Sequence, residues 1–256
     1  MTMRVKEIIS RSNPAFKRFL TLLSGHGIKK AGVTLISGPK QVREVLTEFP
    51  DRCEGIILRD QQEVPEAGIS VGIPLYRLNA ELFREIDVFG THQPILLIRC
   101  EPLPIWDRKD QTSGCSLFIP FQDPANVGAV IRSAAAFGVS RVILLKEAAH
   151  PFHYKSARVA GSALLRVPML AGPSIYELSR STTPIITLST KGHPVDSFRF
   201  PSAFGLLPGL EGPGLPETPR QWHALAIPME PGVESLNAAL ATGIALYVWK
   251  SRSKSR

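Results

Sequence analysis

The stretch Leu117-Phe-Ile-Pro-Phe-Gln-Asp-Pro-Ala-Asn-Val-Gly-Ala-Val-Ile-Arg-Ser-Ala-Ala-Ala-Phe-Gly138, with the apolar run Arg141 to Leu145 behind it, decides the fold. Leu117 to Phe121 is a buried-strand run, Asp123 to Asn126 a loop, and the small and apolar residues beyond it a helix. Asn126 is a residue type that caps a helix start, and Gly138 is the type that ends one in the left-handed conformation. Strand, helix and strand over so few residues imply a parallel sheet, since parallel neighbours need a crossover. Further strands are predicted at Pro184 to Leu188, Ala203 to Leu207 and Ala224 to Ile227. A closing helix runs from about Glu234 to Trp249, with Leu236, Leu240, Ile244, Tyr247 and Val248 as its core stripe.

Upstream, a helix starts at Ser12 with Phe16, Phe19, Leu20 and Leu23 at helical spacing, and a Gly-rich turn follows at Gly25 and Gly27. Val33 to Ile36 is a strand, and Pro39 opens a helix that buries Val42, Val45, Leu46 and Phe49. Strands at Gly55 to Leu58 and Ile95 to Ile98 flank a helix at Ala80 to Ile86. Alternation of this kind makes an α/β sandwich of about 100 residues. Glu101 to Gly114, broken by Pro102, Pro104 and the charged group Asp107 to Asp110, reads as a linker. At roughly 150 residues per domain, 256 residues fit two domains.

With 44% hydrophobic and 20% charged residues the chain has enough apolar side chain for real cores, which excludes wholesale disorder. Cys53, Cys100 and Cys115 are odd in number and form no Cys-x-x-Cys pair, so neither a disulfide scaffold nor a zinc ribbon is expected. The most apolar run, Leu236 to Trp249, is too short for a membrane span and carries Asn237, so a soluble, cytoplasmic protein is expected. The net charge of +8 is localised: residues 1–30 carry +6, Lys250 to Arg256 carry +4, and the rest is close to neutral. Arg11, Lys17, Arg18, Lys29 and Lys30 therefore mark a surface for a phosphate-rich partner. The tail alone fits either the same role or simple solubilisation.

Three segments follow predicted strands, where open α/β sheets place ligands. In the first, Asn126 and Arg132 lie on one helix, and Arg132 needs a partner there, either a structural carboxylate or a nucleic-acid phosphate. The second, Leu206 to Leu215, has Gly209, Gly212 and Gly214 where backbone can approach a ligand closely, with Glu211 as the only charge in the loop. It completes neither a dinucleotide fingerprint nor a P-loop. The third, Ile227 to Asn237, presents Ser235 and Asn237 at a helix start, either as caps or toward an anionic group. Two other patterns carry less: His150 and His153 lack a third metal ligand, and Ser37-x-x-Lys40 lacks the companion motifs of a serine–lysine hydrolase.

In this order and spacing the three segments resemble the signature motifs of the SpoU/TrmH family of RNA ribose 2′-O-methyltransferases, in the SPOUT superfamily, over Leu117 to about Trp249. The first 100 residues resemble, more loosely, the ribosomal-protein-like domain that precedes the catalytic domain in many members, notably at Ser12-Asn-Pro-Ala-Phe-Lys17. Ser37-Gly-Pro-Lys40 departs from relatives, which commonly have Glu before the Gly.

The resemblance implies an RNA substrate-binding domain at 1–100, a linker at 101–114 and a knotted α/β catalytic domain at 115–256. It implies S-adenosylmethionine as cofactor, rRNA or tRNA as partner, a homodimer, and no metal. Gly209, Leu210, Ile227 and Leu236 would form the cofactor pocket, with Ser189 and Thr190 beside it, while Asn126, Arg132, Glu211, Ser235 and Asn237 match the family's functional polar positions. A guanidinium is effectively never deprotonated, so Arg132 is expected to clamp phosphate and stabilise charge on the 2′-oxygen rather than act as base. The rival expectation is a non-catalytic RNA-binding or ribosome-assembly factor on the same fold.

Overall fold

The computed structural model describes residues 5–65, 72–110, 112–180, 182–210 and 222–253. The chain divides into two compact units, one comprising Met1–Pro102 with Phe152–Ser162, the other Leu103–Pro151 with Ala163–Arg256.

In the first unit the elements run β1 (Val5–Ile8), α1 (Pro14–Thr21), α2 (Gly25–Ala31), β2 (Val33–Ser37), α3 (Pro39–Glu48), β3 (Cys53–Arg59), β4 (Leu75–Leu78), α4 (Ala80–Ile86) and β5 (Ile95–Arg99). Their sheet has the order β1-β4-β3-β5-β2, parallel from β1 to β3 and antiparallel from β3 to β2. Phe16, Phe19, Leu22, Ile28, Leu46 and Phe83 bury the helices against it. The Gly-rich turn expected at Gly25 and Gly27 is instead helix α2, capped by Ser24, whose hydroxyl accepts from Gly27 N at 3.1 Å. Gly27 serves close packing there: a Cβ would run into Thr21 O of the preceding helix.

The second unit contains β6 (Gly114–Ile119), α5 (Pro124–Phe137) and β7 (Arg141–Leu144). The chain then returns to the first unit as α6 (Tyr154–Ala160) before continuing with α7 (Ala163–Arg166), β8 (Met169–Ala171), β9 (Ile185–Pro194), β10 (Ala203–Leu207), β11 (His223–Ala226) and α8 (Ala238–Ser253). Helix α6 packs on β2, where the hydroxyl of fully buried Thr34 donates to Phe152 O at 2.6 Å. A hydroxyl inside a sheet layer needs such a partner, and this one lies 118 residues away.

The second sheet is parallel throughout, in the order β11-β9-β10-β6-β7-β8. Its strands bury Phe118, Ile143 and Leu207, residue types that suit a sheet covered on both faces. The stretch expected as a linker is built into this unit. Ile105 bridges Ala171, Trp106 packs edge-on against Phe118 with ring centroids 5.0 Å apart, and Asp110 pairs with the guanidinium of Arg141. Its prolines hide the periodicity, and one aromatic side chain supplies the burial. Cys53, Cys100 and Cys115 are free and buried, and burial pushes the first two thiols up to about 11 and about 12 and the third further still.

Two details of the helices differ from the sequence reading. Helix α5 is capped by Asp123, which accepts from Ala125 N at 2.9 Å, so Asn126 sits inside the first turn. Helix α8 starts at Ala238 and buries Ala239, Thr242, Ala245, Leu246 and Trp249, leaving Leu240 and Tyr247 55% and 60% exposed. The helix is apolar all round, so the large residues do not identify its packed face; the small ones permit the close approach to α5. Among the described residues no helix is long and apolar enough to cross a membrane.

Candidate active site

All strands of the second sheet run the same way, so their carboxyl ends gather the three loop segments on one edge. From β6 the chain enters α5, β9 carries Ser189 and Thr190, β10 leads to Gly209 and Leu210, and β11 leads to Ile227 and on to α8.

The two helix starts meet there. Asn237 Nδ2 donates to Asn126 Oδ1 at 3.2 Å, and Asn237 Oδ1 accepts from Ala239 N and Leu240 N at 3.0 and 3.1 Å. Asn237 is therefore the cap of α8, a role the sequence also offered to Ser235, which is exposed in the irregular segment before it. Arg132 is exposed on α5, so the burial that made a partner obligatory in the sequence reading does not arise. At about 100° per residue it points about 120° around the helix from Asn126.

Thr190 and Ile227 line a cleft of about 390 Å³ together with Met229, Glu230, Val233 and Glu234. Among the described lining residues the only charges are the two carboxylates, which the sequence reading did not single out. Their position on the loop after a parallel strand was the available signal. Gly209, Leu210, Ser235 and Leu236 lie outside that lining. Leu210 packs instead against the core around Trp106, Phe118 and Leu207, and Ser189 Oγ accepts from Lys191 N at 3.3 Å. Glu211, Gly212 and Gly214 lie outside the described residues.

A second concavity, about 550 Å³, lies between α5 and α8 and is lined by Asn126, Ser133, Phe137, Leu240, Ile244 and Tyr247 among others. Most of the stripe expected in the core is thus the wall of an open, apolar groove that begins at the Asn126–Asn237 pair.

The cations expected to face RNA in the first unit divide into two groups. Arg11 pairs with Glu81 and Glu85, and Arg18 lies 3.8 Å from Glu54. Lys17, Lys29 and Lys30 are exposed and make no ion pair among the described residues. Lys40 lies 3.8 Å from Glu44 one turn along α3, as a surface pair. His153 caps α6, accepting from Lys155 N at 3.3 Å, and burial followed by the Lys155 charge holds its pKa below the usual histidine range. Among the described residues no three His, Cys, Asp or Glu side chains gather as a metal site would require.

A parallel sheet with helix starts and loops on its carboxyl edge is the arrangement in which open α/β folds bind ligands. Residues 117–247 match the SpoU rRNA methylase family model. The chain is 48% identical over 98% of its length to "Ribosomal RNA small subunit methyltransferase G 2" of Syntrophobacter fumaroxidans, and it spans half the length of that relative. It is 28% identical to the 23S rRNA (guanosine(2553)-2′-O)-methyltransferase RlmP of Bacillus subtilis, over 95% of this chain and 98% of that one. The crystal structure of an AdoMet-bound rRNA methyltransferase from Sinorhizobium meliloti has the same fold, with a TM-score of 0.77 at 22% identity over 97% of this chain and 98% of that one. The chain belongs to the SpoU rRNA methylase family.

Proposed function

We propose that this chain transfers a methyl group from S-adenosylmethionine to a ribose 2′-hydroxyl of ribosomal RNA. The observation that carries the reading is the Asn126–Asn237 hydrogen bond, which joins the first and third motifs into one polar site beside the carboxyl-edge cleft. The named activities of the relatives point to rRNA rather than tRNA. On this reading the first unit serves as the RNA-binding domain and the second as the methyltransferase domain, and the catalytic fold carries the family's trefoil knot.

The cleft suits the cofactor chemically. Ile227, Met229 and Val233 offer apolar surface to an adenosine, and Glu230 and Glu234 are opposite in sign to a sulfonium. Thr190 and Ile227 would hold it, and when bound it supplies an electrophilic methyl group. The protein's own residues then position the acceptor. Asn126 and Asn237 fix each other's amide planes and orient the ribose, so the reacting oxygen is held near attack distance. Exposed Arg132 clamps the neighbouring phosphate and stabilises negative charge as the 2′-oxygen gives its proton to solvent water.

The active form is a homodimer on this reading. Leu240 and Tyr247 expose large apolar side chains along the α5/α8 groove, and a contiguous apolar face of this kind is what a partner surface covers. Three free, buried thiols fit the reducing cytoplasm. Calorimetric titration with S-adenosylmethionine separates this function from that of a non-catalytic RNA-binding factor. Saturable binding at one site per chain is expected, and RNA binding without cofactor binding would favour the factor.

A further inference from the structure

The C-terminal positive charge is not absorbed by the site just described, because α8 carries it away from the carboxyl edge. With about 1.5 Å rise per residue, the 16-residue helix starts just after its cap Asn237 and ends about 24 Å away. Its last turns reach the opposite edge of the sheet, where β10 and β11 begin. There a continuous run of rings leads from the core to the surface. Buried Phe204 contacts Trp249 and Phe200, Phe200 contacts Phe198, and Phe198 contacts exposed His223, with centroids 5.2–5.7 Å apart.

Cations surround this run. Arg252 Nη1 donates to Phe198 O at 3.3 Å, Lys250 Nζ lies 5.9 Å from the Trp249 ring, and Arg199 stands exposed between Phe198 and Phe200. Among the described residues none of Arg199, Lys250 and Arg252 makes an ion pair, in contrast to Arg11 and Arg18. Clustered cations without carboxylate partners repel one another, and an anionic partner relieves that repulsion. Half-exposed Phe198 and Phe200 beside exposed His223 supply flat surfaces for nucleobases, and aromatic faces beside a positive track are the composition that single-stranded nucleic acid requires.

We infer that the surface formed by Phe198, Arg199, Phe200, His223, Lys250 and Arg252 is a second RNA-contact site, which holds a single-stranded segment at the sheet edge remote from the methyl-transfer site. The inference rests on the reading of the substrate as RNA and extends it. A substrate touching both sites must span roughly the 24 Å length of α8.

The test is fluorescence anisotropy of the full chain with a short fluorescein-labelled single-stranded RNA of mixed sequence, measured across a salt series, with cofactor affinity measured separately. For Arg199→Ala/Arg252→Ala, RNA affinity should fall on the order of tenfold at low salt. The salt slope should become shallower by about 1.4, two phosphate contacts at about 0.7 each. His223→Ala should weaken binding severalfold with the slope unchanged, because stacking releases no counterions. All these side chains but Phe198, Phe200 and Lys250 are exposed, so thermal unfolding should be close to wild type. Wild-type affinity and slope in the double variant would overturn the inference. Failure of S-adenosylmethionine to bind would overturn the methyltransferase reading and leave the RNA result standing.

Discussion

Asn237 holds two helices with one side chain: its carbonyl oxygen caps α8 at Ala239 and Leu240, and its amide donates to Asn126 in the first turn of α5. The two functions separate by substitution. Asn237→Asp keeps the capping acceptor and places a negative charge at a helix start, so stability should stay within about 0.5 kcal/mol of wild type. It removes the donor to Asn126, and methyl transfer should fall. Asn237→Ala loses both functions and should destabilise by about 1 kcal/mol. Thermal unfolding beside single-turnover transfer distinguishes them; equal activity in the Asp variant would mean that the amide contact does not position substrate.

Arg132 is exposed, so its removal should leave stability within about 0.5 kcal/mol of wild type. If it stabilises charge on the reacting oxygen, Arg132→Ala should lower the single-turnover rate by about 10²–10³. Arg132→Lys keeps the charge but not the planar fork and should fall between. Wild-type rates in both variants would remove any catalytic role.

The α5/α8 groove gives a direct test of the dimer. Leu240→Asp/Tyr247→Asp alters side chains already exposed in the single chain, so the fold should survive while association fails. Sedimentation velocity should show a monomer, against a dimer for wild type. A dimer that persists would place the interface elsewhere.

The strap around Trp106 has a pH signature. Asp110 is held below the usual carboxylate range first by its hydrogen bond from Arg141, then by one from Thr112. A carboxylate with a lowered native pKa contributes stability above its unfolded pKa of about 3.9, and that contribution disappears as pH falls through the native value. Asp110→Asn should therefore lower the unfolding temperature near neutral pH, leaving the Arg141 side chain, only 7% exposed, with Ser116 Oγ as its side-chain partner. The difference should begin to shrink below about pH 4 and disappear only once pH has fallen below the lowered native pKa of Asp110. A pH-independent difference would exclude the ion pair as the cause.

Much of the parallel sheet was legible because its strands are short, uniformly apolar runs; Ala203–Leu207 matches the predicted span, and so does helix Ala80–Ile86. What escaped depends on contacts between distant residues. No local pattern marks Phe152 as the acceptor for Thr34, and the inserted α6 interrupts the second unit without a composition change. Short edge strands such as Val5–Ile8 and Met169–Ala171 carry too few residues for a period. Helix α8 shows the limit of periodicity, since its small residues are the packed ones. For the site, residue chemistry singled out Asn126 and Asn237 separately, whereas their contact across 111 residues required the folded chain. Glu230 and Glu234 belonged to a noticed loop, but their common cleft exists only once β9 and β11 are paired.

The central claim is methyl transfer to a ribose oxygen, and alkali reads it directly. A 2′-O-methyl group blocks attack of that oxygen on the adjacent phosphodiester. Ribosomal RNA incubated with the purified protein and methyl-tritiated S-adenosylmethionine should, after complete alkaline hydrolysis, carry its label in an alkali-resistant dinucleotide. Label recovered in mononucleotides would place the methyl group on a base and contradict the account, as would absence of transfer to any ribosomal RNA.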